Sequence, residues 1–254
     1  MTDIKSMNID ELTEYMDSLG EKPFRAKQLY EWMHVHLARD YDETTNLSKA
    51  LRSKLKEEAS LTTLKPVDIQ ISKEDGTRKY LFALPDGNMV ESVLMRYEHG
   101  ISVCISSQVG CKMGCRFCAS TIDGFLRNLT PSEMLDQIYA ISRDVNERVS
   151  NVVVMGTGEP LDNYDNLLRF IEIITGKGGL NISQRNITVS TCGLVPKIYE
   201  LAKEKLAITL ALSLHASTQA KREEIMPVAK TYNIEEVVAA MKDYCKVTGR
   251  RVTY

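Results

Sequence analysis

From residue 101 onward the chain alternates between short apolar runs and amphipathic stretches, and this alternation limits the fold more than any other feature. Residues 101–106 read as an extended run. Thr130-Pro131-Ser132-Glu133 is a helix start, a capping box with proline at the first helical position. Leu135, Ile138, Tyr139, Ser142 and Val145 continue that helix. Strands are predicted at 152–155, 186–190 and 207–214, with helices near 166–175, 195–204 and 234–247, the last ended by Gly249. A strand–helix unit is thus repeated four times, and Arg251 to Tyr254 reads as the start of a fifth strand. Parallel strands need helical cover and neighbours on both sides, so the pattern predicts an α/β fold, a partial TIM-like (βα) barrel. The last strand would present an unpaired edge, so the barrel is expected to be incomplete in this chain.

The preceding part differs. Ile9, Leu12, Tyr15, Met16 and Leu19 recur at helical spacing before Gly20, and Pro23 opens a second stripe through Ala26, Leu29, Tyr30, Met33 and Leu37. A third helix is expected at about 47–61. Beyond Pro66, extended runs at 67–72, 79–84 and 88–96 are separated by the turns Asp75-Gly76 and Pro85-Asp86-Gly87, a small β-meander. The organisation expected is a helical domain over 1–65, a meander over 66–100 and a core over 101–254. At roughly 150 residues per domain, 254 residues give about 1.7 domains, in keeping with one small region and one unfinished barrel. A hydrophobic fraction of 43% excludes disorder as the main state. No apolar run exceeds five residues and Met1 to Lys5 carries no signal-like pattern, so a cytoplasmic protein without a membrane partner is expected. The formal charge of −2 neither requires nor excludes a nucleic acid.

Four of the six cysteines, Cys104, Cys111, Cys115 and Cys118, fall within fifteen residues. Crowding of this kind in a reducing compartment points to metal or redox chemistry. The spacing of Cys111, Cys115 and Cys118 would also place three small apolar side chains on one helix face, but Gly110 and Gly114 favour a loop wrapped closely around something. A closed zinc site wants four ligands, and no second pair follows at finger-like spacing. Three thiolates suit an iron–sulfur cluster with one iron left open. Met155-Gly156-Thr157-Gly158-Glu159-Pro160 follows a strand directly, where glycines admit a ligand to the backbone and a carboxylate can hold a cationic amine. Ser190 ends the next strand, and Ser213-Leu214-His215 ends the one after. All fall at carboxyl ends of successive parallel strands, where barrel active sites sit. His215 alone reads equally well as a structural histidine.

The Cys-x3-Cys-x2-Cys spacing, with Phe117 before the last cysteine, resembles the signature of radical S-adenosylmethionine (SAM) enzymes, and Gly158-Glu159-Pro160 is similar to their SAM-binding motif. The likeness extends further. Ile105 to Cys111, Gly124 to Thr130, the Gly-Glu-Pro-Leu segment, Ser190-Thr191, Ser213 to Ala216, and Pro23 to Gln28 in the helical part all resemble the RlmN family. That family methylates C2 of adenosine in large-subunit rRNA and in tRNA. The related Cfr enzymes, which methylate C8, are the alternative, and a non-catalytic metal-stabilised RNA-binding module is another.

The resemblance implies a 4Fe-4S cluster on Cys111, Cys115 and Cys118. It implies two SAM molecules per turnover, bound by Gly158, Glu159, Ser190, Ser213, Leu214 and His215, and an electron donor such as flavodoxin or ferredoxin. A monomer is expected. One SAM methylates a cysteine; cleavage of the second yields a radical that takes hydrogen from the S-methyl group, and the carbon radical adds to C2. By the same resemblance Glu91 accepts the C2 proton and Cys104 resolves the RNA adduct through a disulfide. Without the family, Glu91 would read as a solvated carboxylate and Cys104 as a buried small side chain. The family's methyl-carrying cysteine lies beyond residue 254, so cluster and SAM binding are expected of this chain but not complete methyl transfer. Cys192 reads as incidental and Cys245 as a packing residue. Lys112, Arg116, Arg127, Arg25 and Lys27 are either solvated charge or phosphate contacts.

Overall fold

The computed structural model describes residues 1–98 and 100–254. Strand β1 (Thr2–Asp3) precedes helices α1 (Ile9–Ser18), α2 (Pro23–His34) and α3 (Lys49–Glu58). A capping box between Asn8 and Glu11 opens α1, Pro23 occupies the first turn of α2, and the Ser48 hydroxyl caps α3. Strand β2 (Ala59–Ser60) pairs in parallel with β1, a contact too short to have a sequence signal. The meander follows as β3 (Lys65–Ile71), β4 (Arg78–Ala83) and β5 (Met89–Tyr97), all antiparallel.

The core begins with β6 (Gly100–Ile105), and β7 (Gln108–Gly110) and β8 (Phe125–Asn128) then form a small antiparallel pair around the cysteine loop. The remaining elements are α4 (Pro131–Val145), β9 (Val149–Val154), α5 (Tyr164–Thr175), β10 (Ile187–Thr191), α6 (Val195–Lys203), β11 (Thr209–Leu212), α7 (Gln219–Ile225), α8 (Ile234–Thr248) and β12 (Val252–Thr253). The expected capping box of α4 is present, and Gly249 ends α8 in the left-handed region.

Meander and core share one eight-stranded sheet, ordered β12-β11-β10-β9-β6-β5-β4-β3. Strands β6, β9, β10, β11 and β12 run parallel, and β5 joins them through antiparallel pairing with β6. Among the described residues the sheet stays open, with β12 at one edge and β3 at the other. No helix of these residues is long and apolar enough to cross a membrane.

The two faces of the sheet have opposite characters. On one, Val103, Ile105, Val152, Val154, Ile187, Val189 and Leu210 are completely buried in the main core. Each such side chain contributes roughly 1.5–3 kcal/mol on removal from water. On the other, neighbouring strands place Val93, Cys104, Val153, Thr188 and Thr209 in one transverse row, all half-buried. Small and β-branched residues thus line a face of the sheet that is only half buried.

The amino-terminal helices are locked to α4 by buried polar contacts. Lys5 Nζ pairs with Asp136 Oδ1 at 2.8 Å with both side chains fully buried, and the Leu64 N–H donates to the other oxygen at 2.6 Å. His34 Nδ1 meets the Tyr139 hydroxyl at 2.8 Å.

Candidate active site

The cysteine segment is a loop, not a helix, so the one-face reading of Cys111, Cys115 and Cys118 falls. Gly110 has φ +71°, and a Cβ there would lie 1.8 Å from the Gly124 carbonyl oxygen. That close approach is used: the Cys111 N–H donates to the Gly124 carbonyl at 3.1 Å. Farther along, the Cys118 N–H donates to the Cys115 carbonyl at 3.0 Å, and the Arg116 N–H to the Ile225 carbonyl at 2.9 Å. The loop is thereby held between β8 and the end of α7.

All three thiols are free; Cys111 and Cys115 are buried and Cys118 partly so. Burial raises the Cys111 and Cys115 thiols above the usual range, Cys115 to about 11, and for Cys115 the neighbouring Cys111 and Cys118 add to the shift. Three thiols close enough to oppose one another's ionisation form a converging donor set. Among the described residues no three His, Cys, Asp or Glu side chains are gathered as ligands of a single ion. Three free cysteine thiols carried by one loop are the donor set that a 4Fe-4S cluster with one open iron takes.

The loop after β9 lies directly against β6 and β7. A Cβ on Gly156 would come within 2.7 Å of Ser106 Oγ, and one on Gly158 (φ +108°) within 2.6 Å of Gln108 Cβ. Glu159 is turned inward, 3% exposed. Its two carboxylate oxygens accept from the N–H groups of Cys192 at 2.7 Å and Leu161 at 3.1 Å. Burial raises its pKa, opposed by those hydrogen bonds. The exposed part of the loop is Met155 and Gly156. Half-buried Ser190 lies on β10 and donates to the Val154 carbonyl at 3.1 Å, while the Ser213 N–H donates to the Thr191 carbonyl at 2.9 Å. Leu214 packs against the main core. His215, at φ +55°, sets its ring edge-on to Phe117 with centroids 4.6 Å apart, which links the end of β11 to the cysteine loop.

Cys104 and Glu91 share the half-buried face of the sheet. Cys104 pairs in register with Val93, and Glu91 stands two residues back along the same strand. Burial raises the Cys104 thiol. Glu91 is exposed and ion-paired with Lys79 at 2.6 Å. All six cysteines are free, so no disulfide forms among the described residues. Cys245 is exposed on α8 and does not pack, and Cys192 is buried against Cys115, Met226 and Val228. Of the basic residues, Lys112 is paired with Asp162 at 2.7 Å, and Arg127 with Asp86 and Glu133. The Arg25 guanidinium bonds Gln28 and the Asn46 carbonyl.

Buried polar residues that tie these loops together went unassigned from sequence. Ser106 Oγ donates to the Glu91 carbonyl at 2.7 Å and accepts from the Thr157 N–H at 3.0 Å. Gln137 of α4 accepts from the Ser106 N–H and from Ser92 Oγ. Gln108 Oε1 accepts from the Glu159 N–H at 2.9 Å, and its amide donates to Asn128 and Asp162. Ser106 and Gln108 fall inside the Ile105 to Cys111 segment, whereas Gln137, on α4, carries no comparable signal.

Comparison with known proteins agrees with this geometry. Residues 105–254 match the radical SAM superfamily, and residues 2–61 match the ribosomal RNA large subunit methyltransferase N-terminal domain. The crystal structure of a radical SAM methyltransferase from Sphaerobacter thermophilus superposes with a TM-score of 0.94 at 41% identity, covering 99% of this chain and 75% of that one. The fold and site are those of a radical SAM methyltransferase, a class that uses a 4Fe-4S cluster and SAM. The probable dual-specificity RNA methyltransferase RlmN of Lachnospira eligens is 64% identical over 254 residues, 100% of this chain and 73% of that protein. Its counterpart in Lachnoclostridium phytofermentans is 60% identical over 252 residues, 99% of this chain and 71% of its own length. The chain belongs to the RlmN family.

Proposed function

We propose that this chain serves methylation of adenosine C2 in large-subunit rRNA and in tRNA, with Cys104 and Glu91 as its catalytic residues. The observation that carries the reading is their common placement on the open face of the sheet, one strand-end away from the three-thiol loop. Cys111, Cys115 and Cys118 hold the cluster, and the backbone of Gly158 and Glu159 with Ser190, Ser213, Leu214 and His215 cradles SAM. When bound, cluster and SAM together supply one-electron cleavage chemistry. The chain's own residues position and exclude. The packed loops keep water from the thiols, Ser106 holds the Glu91 backbone against the glycine loop, and the Glu91 carboxylate takes the proton from C2. The thiol of Cys104 forms a disulfide with the methyl-carrying cysteine as the sulfur–carbon bond to RNA breaks, and the released carbon takes a proton to become the methyl group on C2. A flavodoxin or ferredoxin as donor, a monomeric state, cytoplasmic location and the domain limits 1–65, 66–100 and 101–254 complete the reading.

The test is anaerobic reconstitution of the 254-residue chain with iron and sulfide. A brown protein that cleaves SAM reductively supports it, and a colourless protein that takes up stoichiometric zinc and leaves SAM intact ends it. Mass spectrometry of RNA from cells with and without the gene separates 2-methyladenosine from the C8 product.

A further inference from the structure

Helix α7 runs Gln-Ala-Lys-Arg-Glu-Glu-Ile, and the single side chain it buries is a charged one: Arg222 is 0% exposed. A guanidinium cannot shed its charge in a protein, so a buried one requires a partner. The partners found are neutral. Nη2 donates to the Cys192 carbonyl at 2.6 Å and Nη1 to the Tyr232 carbonyl at 3.4 Å. Nε is buried and has no hydrogen-bond partner. Among the described residues no acid lies within ion-pair distance of it.

The location of this charge is specific. Cys192 packs with Cys115 in a small cluster that includes Met226 and Val228 and touches Cys118. The end of α7 is tied to the cysteine loop by the hydrogen bond from Arg116 to Ile225. Gly193, at φ +104°, leaves the space: a Cβ there would sit 3.2 Å from Nη2 and 3.0 Å from a Val237 methyl. The backbone has therefore given up a side chain where the guanidinium needs room.

We infer that Arg222 is the counter-cation of the iron–sulfur cluster carried by Cys111, Cys115 and Cys118. Three thiolates give the oxidised cluster a net negative charge, and one electron from the donor adds another. A fixed cation beside it favours the reduced form, because net charge and nearby dipoles set the potential of such centres. The buried charge that no carboxylate among the described residues balances is balanced by the loaded site. Arg222 acts through the cluster's charge, as a positioning and tuning residue, and the inference rests on the three-cysteine reading above.

The experiment compares the whole chain with Arg222→Met and Arg222→Lys, each with and without reconstituted cluster. Electron paramagnetic resonance during a redox titration gives the reduced-to-oxidised ratio at a fixed potential. The expected result for Arg222→Met is a fall of about tenfold in that ratio, equivalent to about 59 mV for a one-electron couple, with Arg222→Lys in between. Thermal melting is the second readout. Without cluster, Arg222→Met is expected to melt no lower than the parent chain, and cluster loading is expected to raise its Tm by less. A loaded Arg222→Met whose ratio stays within about twofold of the parent overturns the inference. So does an Arg222→Met that fails to fold without cluster, since an unbalanced charge is then not what the empty site carries. A parent chain that takes up no iron and sulfide ends the cysteine reading and this role together, whereas a loaded chain with an unmoved ratio ends only this role.

Discussion

Two fully buried cations, Lys5 and Arg222, are treated in opposite ways by the fold. At the junction of the amino-terminal helices with α4, Lys5 faces Asp136 at 2.8 Å, and Arg143 reaches the same carboxylate at 3.1 Å. Lys5 also donates to the Thr62 carbonyl. Every charge there has its opposite within the protein. In the cysteine pocket, the hydrogen-bond acceptors of Arg222 among the described residues are carbonyl oxygens. Burial pulls the Lys5 ammonium and the Arg222 guanidinium the same way, toward neutrality, so desolvation does not distinguish them. The difference lies in the origin of the compensating charge. A cation used for architecture is balanced by the chain, and one beside a cofactor site is left for the cofactor to balance.

The largest effects expected are at the pocket itself. Replacing Cys111, Cys115 or Cys118 by alanine is expected to abolish the iron–sulfur absorbance and SAM cleavage, with the far-ultraviolet circular dichroism unchanged, because no strand or helix contains these residues. A variant that keeps the visible spectrum would remove its cysteine from the ligand set.

At the junction the expected effect is on stability instead. Asp136→Asn leaves Lys5 buried without its counter-charge and is expected to cost about 3–5 kcal/mol in denaturant unfolding. The paired change Lys5→Met with Asp136→Leu is expected to recover only part of that loss, since the buried Lys5 charge goes but Arg143 and the Leu64 N–H still lose their acceptor. An Asp136→Asn cost below about 1 kcal/mol would mean that the pair is no better engaged than a surface one, and the contrast with Arg222 would collapse.

The junction also sets an acid limb. Burial holds the His34 pKa down from 6.5 to about 3, and the nearby Lys5 charge pushes the same way. Native His34 is therefore neutral where the unfolded chain is already protonated. Stability is complete above about pH 6.5 and is lost as pH falls toward 3, at roughly 1.4 kcal/mol per pH unit. His34→Phe is expected to flatten that slope in urea titrations between pH 6.5 and pH 4. An unchanged slope would place the acid sensitivity elsewhere.

What the sequence disclosed follows the same division between apolar and polar burial. The four βα units were legible because Val152, Val154, Ile187, Val189 and Leu210 bury plain hydrocarbon with strand periodicity. The capping box of α4 and the glycine stop of α8 were legible for equally local reasons. Helix α7 was not, because it has no apolar stripe and buries only an arginine. Strand β7 escaped as a three-residue element whose central business is the Gln108 side chain. The site divides likewise. Cysteine spacing exposed the ligand loop, but the inward turn of Glu159 toward the Cys192 N–H depends on residues thirty-three positions apart. No local pattern carries such a contact.

The smallest effect tests the half-buried face of the sheet, where charge is neither buried nor structural. Lys79 and Glu91 form an ion pair at 2.6 Å with side chains 45% and 51% exposed, and such pairs contribute about 0–1 kcal/mol. Lys79→Ala is accordingly expected to leave the unfolding midpoint almost unmoved. Glu91→Gln should be equally mild for the fold, because Ser106 and the β4 pairing hold that residue through its backbone. In the chain supplied with a methyl-carrying cysteine, however, Glu91→Gln is expected to stop release of methylated RNA and to accumulate the covalent protein–RNA adduct, visible on a denaturing gel. A stable, cluster-loaded Glu91→Gln that releases product at the parent rate would return Glu91 to the surface charges, and the proton at C2 would need another acceptor on the same face.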